Sequence, residues 1–284
     1  MFIKGKTLPW YDGIVIFLTP DLKSTFNVIH LIKMPKVIAI HSYRGGTGKS
    51  SFTANLATAI ANQGKRVGVV DIDLPSPGIH NIFNFDVENL NHTLNTYLWG
   101  ATGIEDTAYD VSNNVGIKGD GKIFLVPSST RADDIARILK EGYKVSLLHD
   151  GFRKLVKSLK LDYLFIDTHP GLSKDTFLSI AISHFVILIL RPDKQDYQGT
   201  AVTVDVARRL KVRKMVLAVN KALTTMSFKK LRDKIEQVYD LPVAGIFPLS
   251  VDMAKLASEG VFIISNPNHP ISEEFQKVAQ QIME

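Results

Sequence analysis

The sequence predicts an α/β fold: a single doubly wound, mostly parallel sheet with helices on both faces. Three observations predict it. Short apolar runs with little polar alternation recur along the chain, "FVILIL" (185–190) being the plainest, and a strand covered on both faces reads this way. Segments of helical period separate these runs, which is the order that builds a parallel sheet. The first run also passes directly into a glycine-rich turn that opens a helix, "YRGGTGKSS" (43–51).

The first strand is "KVIAIHS" (36–42). The helix after the glycine turn begins at Lys49 and reaches about Asn62, where Gly64 can take the left-handed stop. "RVGVVD" (66–71) is the second strand, and "IFLVPSS" (123–129), "YLFID" (163–167), "FVILIL" (185–190), "MVLAVN" (215–220) and "VAGIF" (243–247) follow. Helical patterns occupy 131–141, 145–160, 197–210 and 227–238. No repeat or low-complexity linker interrupts this order, so residues 36–284 are expected to form one domain. Residues 1–35 read differently. "GIVIFL" (13–18) is apolar but short, Asp12 and Asp21 bracket it, and no small-residue cleavage site follows, so a signal peptide is not expected. An upstream start or a poorly ordered extension is expected instead.

The 284 residues are 45% hydrophobic and 22% charged, enough for a sizeable core. There is no cysteine, which excludes disulfides, thiolate catalysis, cysteine zinc sites and cysteine-ligated iron–sulfur clusters. The apolar runs fall far short of the roughly 18 residues of a membrane span, so a cytoplasmic protein is expected. A net charge of +6 suits an acidic partner, nucleic acid or an anionic membrane, and says nothing about fold.

Ligands of such sheets bind at the carboxyl ends of the strands, and the residues there carry the chemistry. Gly45, Gly46, Thr47, Gly48, Lys49, Ser50 and Ser51 follow the first strand. Glycines let backbone N–H groups wrap a phosphate, Lys49 supplies a point charge and the Ser50 hydroxyl suits Mg²⁺. The second strand ends at Asp71 with Asp73 two residues on, a spacing that puts both carboxylates on one side of an extended segment. They can serve a metal shell and an attacking water; solvated loop acids or helix caps are the alternative. Asp167 ends another strand and suits the metal shell, while Gly171 lets a backbone N–H approach a terminal phosphate. His169 receives no role. Asn220 offers a donor and an acceptor to an adenine edge, though asparagine is also a common turn former.

Together, "HSYRGGTGKSSFTANLATAIANQGKRVGVVDIDLPSPG", "YLFIDTHPGL", "LAVNK" and the tail "IFPLSVDMAKLASEGVFIISNPNHPISEEFQKVAQQI" resemble the MinD/ParA family of deviant-Walker, SIMIBI-class P-loop ATPases, in order from residue 36 to 282. The resemblance implies a slow, Mg²⁺-dependent ATPase that forms a homodimer around ATP, answers to an activating partner protein and positions a cargo such as a plasmid, a chromosome or a division-site regulator. It implies that Arg44 takes the place of the lysine that reaches the partner's phosphates, that Asp73 orients the attacking water, and that Asn220 and the turn beginning at Pro248 meet adenine. Tyr43 and Arg44 depart from the family's usual glycine and lysine. Arginine keeps the charge and adds a planar fork; a solvated loop arginine is the alternative. The family's basic amphipathic membrane helix is not seen after "QQIME", which makes a membrane the less expected surface, although 21–33, with Phe26, Ile29 and Ile32, has helical spacing. Nonspecific DNA is a possible partner through Arg208, Arg209, Lys211, Arg213 and Lys214 together with Lys229, Lys230, Arg232 and Lys234; a solvated helix face is the alternative. The expected function is an ATP-driven dimerisation switch that positions or partitions cargo, with a nucleotide-sensing regulator that hardly hydrolyses as the rival.

Overall fold

The computed structural model describes residues 35–284, so the expected amino-terminal extension and its 21–33 segment lie outside the described residues. The elements run β1 (Lys36–His41), α1 (Lys49–Ala61), β2 (Arg66–Asp71), α2 (Ile79–Ile82), α3 (Leu94–Leu98), β3 (Tyr109–Asp110), α4 (Ser112–Val115), β4 (Lys122–Val126), α5 (Ala132–Glu141) and α6 (Ser146–Ser158). They continue with β5 (Tyr163–Asp167), α7 (Lys174–Ile182), β6 (Phe185–Leu190), α8 (Lys194–Arg209), β7 (Met215–Ala222), α9 (Phe228–Tyr239), β8 (Val243–Pro248), α10 (Val251–Leu256), α11 (Phe262–Ser265) and α12 (Pro270–Met283).

The strands form one eight-stranded sheet in the order β3-β4-β2-β5-β1-β6-β7-β8. Every pairing is parallel except β3 with β4. The strand order turns back at β1, between β5 and β6, and such a reversal opens a crevice at the strands' carboxyl ends. The glycine loop leaves β1 at that point.

Both faces of the sheet are covered, which explains the unbroken apolar strands. On β6, Phe185, Ile187 and Ile189 join a core with α1 and α12, while Val186, Leu188 and Leu190 join one with α8 and α9. Leu164 and Ile166 of β5 pack with Leu148, Phe152 and Leu155 of α6. Phe52 of α1 meets Phe247 and Phe275 at 5.2 Å between ring centroids, and Phe247 meets Phe275 at 4.5 Å. Such pairs add on the order of 0.5–1.5 kcal/mol each beyond area burial. This cluster fixes α1, and with it the glycine loop, against β8 and α12.

The strand predicted over 123–129 stops at Val126, because Pro127 has no N–H for the ladder. Ser128 and Ser129 are buried instead in side-chain bonds: Ser128 Oγ donates to the Asp71 carbonyl at 2.7 Å, and Ser129 N donates to Asn95 Oδ1 at 2.8 Å. The helix predicted from 197 starts at Lys194, because the Asp193 carboxylate caps it by accepting from Asp196 N. The antiparallel β3 carried no sequence prediction. Among the described residues, no helix is long and apolar enough to cross a membrane.

Candidate nucleotide-binding site

The loop after β1 is shaped by two left-handed glycines, Gly46 (φ 73°) and Gly48 (φ 91°). Nothing lies within 4 Å of where a Cβ on Gly46 would stand, whereas a Cβ on Gly48 would meet Asn220 Nδ2 at 2.6 Å. Gly48 heads α1 with no side-chain cap and no acidic residue in the first turn. That helix end therefore keeps its positive character for an anion. Lys49 is buried within the loop, and the buried Thr47 Oγ1 has no hydrogen-bond partner. An orphaned hydroxyl and an open glycine turn fit a polyphosphate.

Behind the loop stands the end of β7. Asn220 Nδ2 donates to the Thr47 carbonyl at 2.8 Å, its Oδ1 accepts from Lys221 N at 2.9 Å, and Lys221 Nζ donates to the Gly46 carbonyl at 2.8 Å. Asn220 thus buttresses the loop, and its second amide hydrogen and the second lone pair of Oδ1 remain for an adenine edge. Pro248 closes β8 nearby, where Leu249 N donates to the Ala222 carbonyl at 2.8 Å.

The parallel register of β2 and β5 places Asp71 beside Asp167, each 1% exposed. Asp71 Oδ1 and Oδ2 accept from Asp73 N at 3.0 Å and Gly78 N at 3.2 Å. Asp167 Oδ1 accepts from Thr53 Oγ1 at 3.0 Å, and the Ser50 hydroxyl lies close enough to favour its charged form. Burial pushes the Asp167 carboxyl up to about 6 against the opposing Ser50 hydroxyl and Lys49 charge. Burial, then the neighbouring Asp167 charge, raises Asp71. Two adjacent buried carboxylates beside a hydroxyl and a phosphate loop fit a hard divalent cation, which would offset their charge. Among the described residues, no three His, Cys, Asp or Glu side chains gather into a metal cage. That donor set suits Mg²⁺, which takes one or two carboxylates and completes its shell with phosphate oxygens and water.

β2 ends at Asp71, so Asp73 lies on the following loop rather than on the strand. Its Oδ1 lies 2.7 Å from Nδ1 of His169, a residue to which the sequence assigned nothing. Asp73 and His169 each stand two residues beyond the paired Asp71 and Asp167. The register of β2 on β5 was the missing signal.

Sequence reasoning also passed over His41. Thr168 Oγ1 donates to the Ile40 carbonyl at 2.9 Å, so it can only accept from His41 Nδ1, 2.8 Å away. Nδ1 therefore carries the proton, and the buried Nε2 has no partner. Burial, with the Lys49 charge next, pushes this imidazole down to about 3.

Gly171 N, expected at a phosphate, donates to the Ser42 carbonyl at 3.2 Å. Arg44 Nη1 lies 3.2 Å from Asp193 Oδ1 and 3.3 Å from Asp196 Oδ1, at the head of α8. Arg191 contacts the same two carboxylates at 3.3 and 3.1 Å. Tyr43 lies over Gly199 of α8, where a Cβ would stand 2.0 Å from its ring. Both departures from the family loop thus dock on α8. The expected basic cluster is partly engaged within the chain: Arg208 Nη2 donates to the Tyr239 carbonyl at 2.7 Å, Arg232 Nη1 donates to the Val243 carbonyl, and Lys214 lies over the Phe185 ring, although Arg208 and Lys214 stay exposed. Lys211, Lys229, Lys230 and Lys234 are exposed.

A family model described as ParA, the NUBPL iron-transfer P-loop NTPase, matches residues 33–283. The chain is 26% identical over 254 residues to an uncharacterized ATP-binding protein of Methanocaldococcus jannaschii, covering 88% of each chain. It is 27% identical over 267 residues to an iron-sulfur cluster carrier protein of the same organism, covering 90% of this chain and 86% of the other. Among solved structures, the septum site-determining protein MinD complexed with Mg-ADP from Pyrococcus horikoshii matches with a TM-score of 0.73 at 21% identity. That match covers 88% of this chain and 96% of the other.

Proposed function

The chain belongs to the ParA family of P-loop NTPases, and from that premise we propose that it is a Mg²⁺-dependent ATPase acting as a dimerisation switch. The observation that carries this reading is the buried Asp71–Asp167 pair beside Lys49 and Ser50. The loop amides and Lys49 bind the phosphates, and Ser50, Asp71 and Asp167 hold the metal. Mg²⁺, when bound, offsets phosphate charge. Asp73 orients the attacking water, and the products are ADP and phosphate. Two such subunits enclose ATP at the carboxyl ends of their strands.

The cargo we propose is a macromolecular assembly, as in chromosome or plasmid partition or division-site placement. The relative named as an iron-sulfur cluster carrier points elsewhere. This chain of 284 residues has no cysteine with which to hold a cluster through thiolates. A second reading, a nucleotide sensor with little hydrolysis, draws on the Arg44 and Gly171 contacts, which keep two expected phosphate ligands within the chain.

Phosphate release with Mg²⁺ and with EDTA, with and without DNA or anionic liposomes, tests the proposal. Size-exclusion chromatography with ATP reads dimerisation. Turnover that needs Mg²⁺ and a dimer that needs ATP support the switch. Tight nucleotide binding without turnover would shift the assignment to the sensor.

A further inference from the structure

We propose that His169 is a positioning residue for hydrolysis, orienting the Asp73 carboxylate through the 2.7 Å contact between its Nδ1 and Asp73 Oδ1; this rests on the ATPase reading above. Asp73 needs such a partner. β2 ends at Asp71, and the loop over 72–78 has no regular structure to fix the Asp73 side chain. Its backbone N–H is committed to Asp71 Oδ1, which fixes the main chain and leaves the side-chain torsions free.

His169 is itself well placed to orient another group. Pro170 follows it and restricts its backbone to extended conformations. Thr176 Oγ1 donates to the His169 carbonyl at 3.4 Å, and the preceding Thr168 is locked between Ile40 and His41. The imidazole is therefore carried by a braced segment. A carboxylate only accepts hydrogen bonds, so Nδ1 must carry the shared proton. One oxygen of Asp73 is then occupied and directed, and Oδ2 is left to take a water. The arrangement parallels metal centres, where the partner behind a ligand sets its orientation and its loss reduces function about 10–100-fold.

The test measures steady-state ATP hydrolysis and nucleotide affinity for the full chain and for His169→Ala, His169→Asn, Asp73→Ala and the double variant His169→Ala/Asp73→Ala. His169→Ala is expected to lower kcat by about 10–100-fold while changing KM and nucleotide affinity less than about three-fold. His169→Asn, whose amide can donate from nearly the Nδ1 position, is expected to restore most of the loss. Adding His169→Ala to Asp73→Ala should change nothing further, because both act through one carboxylate.

An unchanged or faster His169→Ala enzyme would overturn the positioning role, a faster one meaning that the pair restrains Asp73. Additive losses in the double variant would also overturn it, because His169 would then act by another route. An Asp73→Ala chain that hydrolyses at the normal rate overturns this inference alone. If the wild-type chain shows no Mg²⁺-dependent hydrolysis, the ATPase reading falls and takes this inference with it. That outcome is distinct from an active wild type indifferent to His169.

Discussion

The Arg44 guanidinium is held 3.3 Å from Asp196 of its own chain, a carboxylate only 2% exposed. That carboxylate oxygen has no hydrogen bond, so the contact is one of charge rather than of aligned donor and acceptor. Arg44 itself is about one-third exposed and Asp193 43% exposed, so the Arg44–Asp193 pair is of the surface kind that contributes about 0–1 kcal/mol. Two triphosphate groups facing each other in a dimer carry more negative charge than the two carboxylates, and a guanidinium can bind phosphate oxygens in a bidentate, charge-assisted way.

Arg44→Ala is therefore expected to keep ATP affinity within a few-fold and to lose ATP-dependent dimerisation and turnover together. Arg44→Lys should retain much of both. Asp193→Asn keeps an N-cap-competent side chain yet weakens the contact to Arg44, so it should raise the dimer fraction at limiting ATP by a few-fold. Sedimentation with and without ATP reads all three. Normal dimerisation of Arg44→Ala would confine the arginine to its contact with α8 within one chain.

Asp73→Ala should bind ATP normally and hydrolyse it at least about 100-fold more slowly, the scale on which misplacing a reacting group lowers the rate. The ATP-bound dimer should then accumulate on a sizing column. A normal rate of phosphate release would remove Asp73 from the mechanism.

The buried His41 imidazole makes stability depend on acid. Its pKa is lowered from 6.5 to about 3 in the folded chain. Below about pH 6.5 the unfolded chain takes up a proton that the folded chain refuses until about pH 3, so stability falls as pH falls through that window and is untouched above it. At pH 4.5 this amounts to roughly 2–3 kcal/mol. His41→Gln should lose less stability than wild type between pH 7 and 4.5 in urea titrations; parallel losses would contradict the assignment.

The basic surface is best tested away from Arg208. Its bond to the Tyr239 carbonyl joins α8 to the end of α9, so Arg208→Glu should lower stability by about 1–2 kcal/mol in thermal melts. If DNA is a partner, replacing Lys211, Lys229 and Lys230 with Glu should abolish binding without affecting ATP turnover. Wild-type binding should weaken steeply between about 50 and 200 mM salt. DNA binding that survives the triple change would place the contact on another surface.

The parallel strands, the glycine loop and the helices after β1, β4, β6 and β7 were legible because they depend on local pattern, whereas α7 and α12 were given no bounds. Unbroken apolar runs record burial on both faces, and Gly46 and Gly48 record left-handed backbone. Asp71 and Asp167 were legible as strand ends. What escaped depends on register and on distant partners. Nothing in "DTHPGL" says that His169 faces Asp73, because that follows from how β2 lies on β5. Nothing near Arg44 foretells Asp196, because the two meet only when α8 packs beside the loop. The basic cluster was read as one surface, although Arg208 and Arg232 serve the α8–α9 and α9–β8 joins.

The central place of β1 also has a consequence for how the protein is made. Its neighbours are β5 and β6, and the bond between His41 and Thr168 spans 127 residues of chain. At about 5–20 residues per second of synthesis, the glycine loop leaves the ribosome roughly 6–25 s before the strand that completes it. During that interval "KVIAIH" is an apolar segment with both edges open, and the phosphate loop cannot take its final shape. Nascent chains shorter than about 170 residues should therefore fail to retain nucleotide, and the growing polypeptide is most exposed to aggregation while its future binding site waits for β5.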